Sequence, residues 1–155
     1  MKKIRAVSIT IRNDKVLLMH RIKNGFDYYT FPGGGVERGE TVKRAVVREM
    51  LEEATMNVKV KKLLYHHIYD DDTEQFFYLC EHIKGEPKLG NFNEARSMAV
   101  GNNFYEPIWY EITEIDKLTL FPIEIRDWML EDYGSDFVNT PREATISVND
   151  LRKGV

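Results

Sequence analysis

The segment FPGGGVERGETVKRAVVREMLEEATM, residues 31–56, decides the fold, because it joins a run of three glycines to an amphipathic helix. Its apolar residues recur every four positions, at Val42, Val46, Met50 and Ala54. This period predicts a helix over 41–54 with one buried face. A glycine loop that opens a helix typically receives phosphate through free backbone N–H groups. Glu37 and Glu40 would repel a bare phosphate there. A phosphate bound at this loop would therefore need something to neutralise the negative charge.

Three carboxylates project from one side of this helix. Glu49, Glu52 and Glu53 stand at positions i, i+3 and i+4. Like charges at these spacings cost roughly 0.2–0.5 kcal/mol per pair unless something neutralises them. A hard divalent cation does so, and Mg²⁺ prefers oxygen ligands while it retains waters and substrate phosphates. The alternative is a solvent-exposed helix face with ion pairs such as Arg48 with Glu52. This alternative leaves the three glycines unexplained.

The spacing in this segment resembles the Nudix box, G-x5-E-x7-R-E-U-x-E-E-x-G-U, where U is a bulky aliphatic residue. The match runs over residues 34–56, and its one departure is Thr55 in place of the second glycine. The matching fixed positions are Gly34, Glu40, Arg48, Glu49, Met50, Glu52, Glu53 and Met56. The resemblance implies an α/β protein, a Nudix-type α/β/α sandwich with a mixed sheet between helices.

The resemblance also implies an activity and roles for residues. It implies hydrolysis of a nucleoside diphosphate linked to another moiety, with Mg²⁺ or Mn²⁺ as cofactor. The implied metal ligands are Glu49, Glu52, Glu53 and the carbonyl of Gly33, with Glu40 assisting from beyond the direct ligands. Arg48 is expected to orient a carboxylate. The candidates for substrate contact are Arg21, Gly34 and Gly35, and Arg21 could equally be ordinary surface charge.

The general base is sought in the long connection over 84–103. Carboxylates that coordinate a metal are poor bases, since the cation depresses their pKa. Family members often draw an extra glutamate from a loop located as this one is, and Glu94 follows Asn93, a candidate helix N-cap. Glu86 and Glu106 are second choices. If Glu94 is only a first-turn residue favoured by the helix dipole, the base is expected in the box, and Glu52 is then the first residue to test.

No substrate signature of the family fits this chain. The proline that marks ADP-ribose enzymes downstream of the box is replaced by aspartates at 70–72. The tyrosine of dinucleoside polyphosphate enzymes is missing, because Tyr69 lies too close to the box and Tyr78 too far. A nucleoside triphosphate or related nucleotide is therefore the default substrate. A Nudix-fold module that senses a nucleotide without cleaving it is the alternative, and the complete acidic triad argues against it.

The length of 155 residues predicts one domain, which we divide into a Nudix domain over 1–132 and a C-terminal extension over 133–155. The net charge of −3 leaves no broad positive surface for duplex nucleic acid. The N-terminal segment has no long apolar run, which predicts a cytoplasmic protein that does not bind a membrane. The single cysteine, Cys80, is expected to be buried. The expected partner is a nucleotide or a nucleoside-diphosphate-linked small molecule, and a homodimer stays open.

Alternation of apolar and polar residues predicts the remaining elements. Strands are expected at 3–12, 16–21, just before Pro32, 57–69, 75–83 and 104–112, with an added strand at 145–148. The 75–83 strand is expected to be central, and Pro107 argues for an edge or a bulge. A second helix is expected between Pro122 and Gly134. Phe104, Tyr105 and Trp109 could stack on a base, although aromatic residues in strands are more often core.

Overall fold

The computed structural model describes residues 2–88 and 103–149, and the elements below belong to those residues. The strands are β1 (Lys3–Arg12), β2 (Lys15–Lys23), β3 (Phe26–Thr30), β4 (Gly33–Gly35), β5 (Asn57–Tyr69), β6 (Thr73–Lys84), β7 (Asn103–Glu111), β8 (Leu120–Phe121) and β9 (Arg142–Ile146). The helices are α1 (Val42–Ala54), a 3₁₀ helix (Ile112–Lys117) and α2 (Ile123–Tyr133). None of these described helices has the length and apolar content needed to cross a membrane.

The strands form one mixed sheet whose main path runs β8-β3-β2-β1-β6-β5-β9. Strand β6 lies inside the sheet, parallel to β1 and antiparallel to β5, so its predicted central position is confirmed. Within the described residues, β7 pairs with β2 alone. The predicted edge position of Pro107 is therefore also confirmed, because an edge strand tolerates the missing N–H.

Two apolar clusters lie on opposite faces of the sheet. Neighbouring residues of β1 point to different clusters, with Ala6 in one and Val7 in the other, as the two-residue period of a strand requires. The Ala6 cluster is covered by α1 through Ala45, Val46, Met50 and Ala54. The Val7 cluster is covered by α2 through Ile125 and Met129. The expected sandwich of a mixed sheet between helices is confirmed.

The three glycines do not form a loop at the helix N-terminus, so that part of the sequence interpretation is wrong. They form β4, which runs antiparallel to Arg5–Val7 of β1. A Cβ on Gly33 would lie 2.5 Å from the carbonyl oxygen of Ala6, so β4 approaches β1 this closely only as glycine. Helix α1 begins later, after Thr41, whose hydroxyl oxygen accepts a hydrogen bond from the Arg44 N–H at 3.2 Å.

Strands β1 and β2 diverge after their connecting turn. They pair at Ile11–Val16 and Arg12–Lys15. Farther along, β1 pairs with β4, whereas β2 continues against β3 and β7. The divergence opens a cleft between the Arg5 end of β1 and the Arg21 end of β2, and this cleft positions the site described below.

Residues 133–149 pack against the rest of the chain. Phe137 is buried in the Val7 cluster, and β9 pairs parallel with β5. The buried carboxylate of Asp132 accepts hydrogen bonds from the Tyr65 hydroxyl and from Arg142 of β9. An added strand was expected near here, and β9 begins and ends slightly earlier than expected. The domain boundary after residue 132 stays a prediction.

Thr55 ends helix α1 in a left-handed conformation, with φ 57° and ψ 40°. Its N–H bonds to the Leu51 carbonyl oxygen, so the helix closes as it would around glycine. The β-branched side chain makes this conformation costly, by roughly 1–2 kcal/mol. The Thr55 hydroxyl recovers part of that cost by donating a hydrogen bond to the Lys88 carbonyl oxygen at 3.3 Å.

Replacing Thr55 by Gly is expected to raise the free energy of unfolding by about 0.5 kcal/mol, measured by urea denaturation. The relieved strain exceeds the lost long hydrogen bond and the added freedom of glycine in the unfolded chain. The control is Thr55→Ala, which keeps a Cβ at the left-handed position, loses the hydroxyl and should be less stable than the parent. A Thr55→Gly protein that is clearly less stable than the parent would show that the left-handed conformation of Thr55 is not strained.

Candidate active site

Arg48 gathers the acidic residues of α1 and its preceding loop around one guanidinium. Its Nε and Nη2 donate to the two carboxylate oxygens of Glu40 at 2.8 and 2.9 Å. Its Nη1 donates to Glu49 at 2.8 Å and to Glu52 at 3.2 Å. Nη2 also donates to the carbonyl oxygen of Gly35 at 2.9 Å. The fork of Arg48 therefore ties the helix, the loop and β4 together.

The carboxylates around Arg48 differ in their electrostatics. Hydrogen bonds from Arg48, helped by the Glu37 N–H, lower the pKa of Glu40 to about 2, so Glu40 is ionised at neutral pH. Burial instead raises the pKa of Glu49, whose side chain is only 13% exposed, although Arg48 opposes the effect. A further cation beside Glu49 would lower its pKa and stabilise the ionised form.

The glycines of β4 lie directly against the glutamates of α1. The Gly33 N–H donates a hydrogen bond to Oε2 of Glu53 at 3.0 Å. A Cβ on Gly34 would fall 2.4 Å from the Glu49 carboxylate, so the helix and the strand meet here only because Gly34 has no side chain. The contact uses the N–H of Gly33, whereas the sequence expectation concerned its carbonyl oxygen.

The structure brings Glu40, Glu49 and Glu52 together around Arg48 and places Glu53 on Gly33. Among the described residues, no three His, Cys, Asp or Glu side chains converge as a ready metal-binding group. Arg48 accounts for this, since it draws Glu49 and Glu52 toward itself. The donors are nevertheless of the kind a hard divalent cation prefers. Glu52 is 47% exposed and can turn from Arg48 at little cost, so the residues fit such a cation.

A cleft begins beside Glu53 and leads away from the carboxylates. Its first part is a cavity of about 30 Å³ lined by Gly33, Glu53, Arg5 and Arg21, among others. It continues into a cavity of about 280 Å³ that reaches Phe121. Arg21, expected to contact substrate, lines both parts of this cleft.

The comparison with protein families agrees with this geometry. The model of the NUDIX domain matches residues 2–130 of the chain. The chain belongs to the Nudix family. The match includes every box residue that contacts Arg48 or β4, and it ends within α2.

Individual relatives carry the names of several Nudix enzymes. The chain is 38% identical over 86 residues to an ADP-ribose pyrophosphatase of Methanocaldococcus jannaschii, covering 52% of this chain and 51% of that protein. The chain thus spans about half the length of that relative. It is 34% identical over 112 residues to the 8-oxo-dGTP diphosphatase of Escherichia coli, covering 66% of this chain and 86% of that protein.

The Nudix fold is also seen in solved structures. A NUDIX hydrolase from Nitrosomonas europaea superimposes with a TM-score of 0.70 over 94% of this chain and 79% of that one, at 20% identity. At 20% sequence identity, this structural similarity shows a shared fold and nothing further. It agrees with the sandwich of one mixed sheet between α1 and α2.

The sequence interpretation did not identify two residues that line the cleft of this Nudix domain. Arg5 and Gln75 are register partners in the parallel β1–β6 pair, and both line the larger cavity. Each stands two residues before an inward-pointing residue, Val7 or Phe77, so each shares that residue's face of the sheet. This alternation is the signal that could have found them.

The structure does not place the remaining sequence candidates in the described cleft. Glu94 and its expected cap Asn93 lie outside the described residues. Gly34 and Gly35, expected near substrate, contact Glu49 and Arg48, and neither lines the described cleft.

Two further residues of the sheet are also remote from the cleft. The Trp109 ring lies under the guanidinium of Arg12 at 4.4 Å. Cys80 is buried as expected, which raises the pKa of its thiol to about 11.

Proposed function

We propose that this Nudix protein is a metal-dependent pyrophosphohydrolase that cleaves a nucleoside diphosphate linked to another moiety. Its default substrate is a nucleoside triphosphate or a related nucleotide. One observation carries the proposal. The acidic side of α1 lies against β4, with Glu53 bonded to Gly33 and Glu49 against Gly34, at the mouth of a cleft that contains arginines.

The cation would be Mg²⁺ or Mn²⁺, held by Glu49, Glu52 and Glu53 with the carbonyl of Gly33. Bound there, such a cation neutralises charge on phosphate oxygens and lowers the pKa of an attacking water. Glu40 would act indirectly, since its two hydrogen bonds fix the guanidinium of Arg48. Gly34 and Gly35 would let the substrate diphosphate approach the helix closely.

Attack on phosphorus also requires a group that accepts the proton of water within hydrogen-bond reach. Glu94 is the proposed base. Glu52 is the alternative within the box, because it is half exposed and its 3.2 Å bond to Arg48 is the longest of that group. The substrate itself would be oriented by Arg21.

The two relatives are named for different substrates, one for ADP-ribose and the other for a nucleoside triphosphate. The aspartates at 70–72, where ADP-ribose enzymes of the family carry a proline, favour the triphosphate.

A nucleotide panel tests the proposal. Purified protein with Mg²⁺ is expected to hydrolyse at least one nucleoside triphosphate, and the identity of the products assigns the broken bond. Because the carboxylates need the cation to act, EDTA should abolish turnover and excess Mg²⁺ should restore it. The panel includes ADP-ribose and a dinucleoside polyphosphate as competing substrates. Turnover that survives EDTA would contradict the metal mechanism, and binding without any turnover would favour the sensing alternative.

A further inference from the structure

A second concave surface lies between α1 and the beginning of β5, and we call it the α1–β5 groove. Its volume is about 500 Å³. Its apolar lining residues are Val47 of α1 together with Val58 and Val60 of β5. The groove shares no lining residue with the described cleft, so it is a separate surface of the molecule.

Apolar side chains on the α1 side of the groove are open to solvent. Val47 is 38% exposed, and Leu51, four residues later and hence on the same side of the helix, is 49% exposed. The solvent-facing side of such a helix normally carries polar residues. Apolar side chains clustered beside an open groove, with polar residues around them, are typical of an interaction site.

Three cations border the groove without a counter-charge. Lys43, Arg44 and Lys59 line it and are exposed, and among the described residues they take part in no ion pair. Arg48 also lines the groove, but the carboxylates of the candidate active site already accept its hydrogen bonds. The uncompensated charge around the groove is therefore positive.

Helix α1 adds to this positive potential. Lys43 and Arg44 lie in its first turn, which contains no acidic residue. The N-terminus of a helix carries partial positive charge, so cations are unfavourable there and an anion is stabilised. A carboxylate near Lys43 and Arg44 would interact with both side chains and with the helix dipole. The groove therefore favours an acidic partner.

The aliphatic lining distinguishes a peptide from other anionic partners. Surfaces that bind single-stranded nucleic acid combine cations with aromatic rings on which the bases stack. None of the described residues that line the α1–β5 groove is aromatic. Aliphatic residues bordered by cations instead match an amphipathic helix, which inserts its apolar face into a groove and leaves its carboxylates at the rim.

We propose that the α1–β5 groove docks an acidic amphipathic helical segment of a partner protein. The apolar side chains of that segment pack on the three valines, and its carboxylates pair with Lys43, Arg44 and Lys59. The apolar contact supplies most of the affinity, because exposed ion pairs each contribute little. The charges select the partner and speed its association. This docking surface goes beyond the proposed hydrolysis and does not depend on it.

Fluorescence anisotropy with a labelled synthetic peptide tests the proposal. The probe is a helix of about 14 residues, with leucines at i, i+3, i+4 and i+7 and glutamates between them. Saturable binding is expected at low salt and should weaken as added salt screens the ion pairs. Val47→Asp should raise Kd about tenfold or more, because it places a carboxylate in the apolar lining. Lys43→Glu and Lys59→Glu should each raise Kd about 3–10-fold.

Matched controls separate docking from general charge and stickiness. Lys3→Glu reverses an exposed lysine of β1, and Val138→Asp replaces a valine that is 69% exposed; neither residue lines the groove. Both variants should keep Kd within twofold of the parent. Peptides with serine for leucine or glutamine for glutamate should bind more weakly than the probe. Amide signals of the groove residues in ¹⁵N-labelled parent protein should shift with the probe, a readout that needs no variant.

An absence of saturable binding would overturn the proposal, and so would a Kd that Val47→Asp or both lysine variants leave unchanged. Single-stranded DNA, or vesicles containing phosphatidylserine, would overturn it by binding through the same residues more tightly than the peptide, since the surface would then serve another class of partner. All measurements are made without nucleotide. Their result therefore stands apart from the outcome of the hydrolysis assay.

Discussion

Replacing Glu53 by Gln is expected to lower kcat by about 10²–10³-fold or more, which corresponds to roughly 3–4 kcal/mol of lost transition-state stabilisation. The substitution removes one negative charge from the proposed metal ligands with little change of shape. The Gln carboxamide oxygen can still accept the hydrogen bond from Gly33, so the contact between α1 and β4 should persist. Steady-state kinetics with a nucleoside triphosphate and Mg²⁺ measure the effect.

Binding of Mn²⁺, followed by electron paramagnetic resonance, gives a second readout that does not depend on turnover. Glu53→Gln should weaken it clearly. Glu37→Gln serves as the control, because Glu37 is 68% exposed, lies in the loop before α1 and sits 3.6 Å from Arg48. That variant should keep kcat within a few-fold of the parent. If Glu53→Gln bound Mn²⁺ and turned over like the parent, the proposed metal site would be wrong.

Replacing Arg48 by Ala is expected to reduce both stability and activity. It leaves Glu40 and Glu49, whose side chains are 15% and 13% exposed, without their cation. Removing the cation leaves these partly buried carboxylates uncompensated, so the free energy of unfolding should fall, by less than for a fully buried ion pair because both partners keep some exposure. Urea denaturation at neutral pH measures the loss, and kcat should fall because Glu49 and Glu52 lose their orientation.

The lysine variant separates charge from geometry. Arg48→Lys keeps a cation but cannot bind Glu40 with two parallel hydrogen bonds and still reach Glu49. Its stability and activity should therefore fall between those of the parent and Arg48→Ala. An Arg48→Ala protein as stable and active as the parent would show that the guanidinium does not organise the site.

The pH dependence of stability reports on the same ion pair. The pKa of Glu40 is lowered from 4.5 to about 2 in the folded state, chiefly by Arg48. A lowered folded-state pKa stabilises the protein above the unfolded value and ceases to do so as the pH falls toward the folded value. The parent should therefore lose this contribution between about pH 4.5 and pH 2. Arg48→Ala should show a shallower loss over the same window, measured by denaturation at each pH.

Local pattern within one segment was enough to predict the helix and the carboxylates on one of its sides. The four-residue apolar period predicted the buried face of α1 that carries Val46 and Met50, and the i, i+3, i+4 spacing placed Glu49, Glu52 and Glu53 on one side. These relations depend on the geometry of a single helix, which is the same wherever the helix packs. The left-handed ending at Thr55 was also within reach, because a helix end restricts φ locally.

Contacts between distant segments were decided only by the tertiary structure. The glycines read as a helix-opening loop, yet they became β4 because β1, some thirty residues earlier in the chain, offered its edge to them. The cleft likewise exists because β1 and β2 separate after their turn, which sets Arg5 of one strand and Arg21 of the other beside Glu53. Strand pairing depends on which edges meet in the folded chain, and no local spacing encodes that choice. The sequence by itself therefore determined the carboxylates that α1 presents, and the pairing of the strands decided which arginines face them.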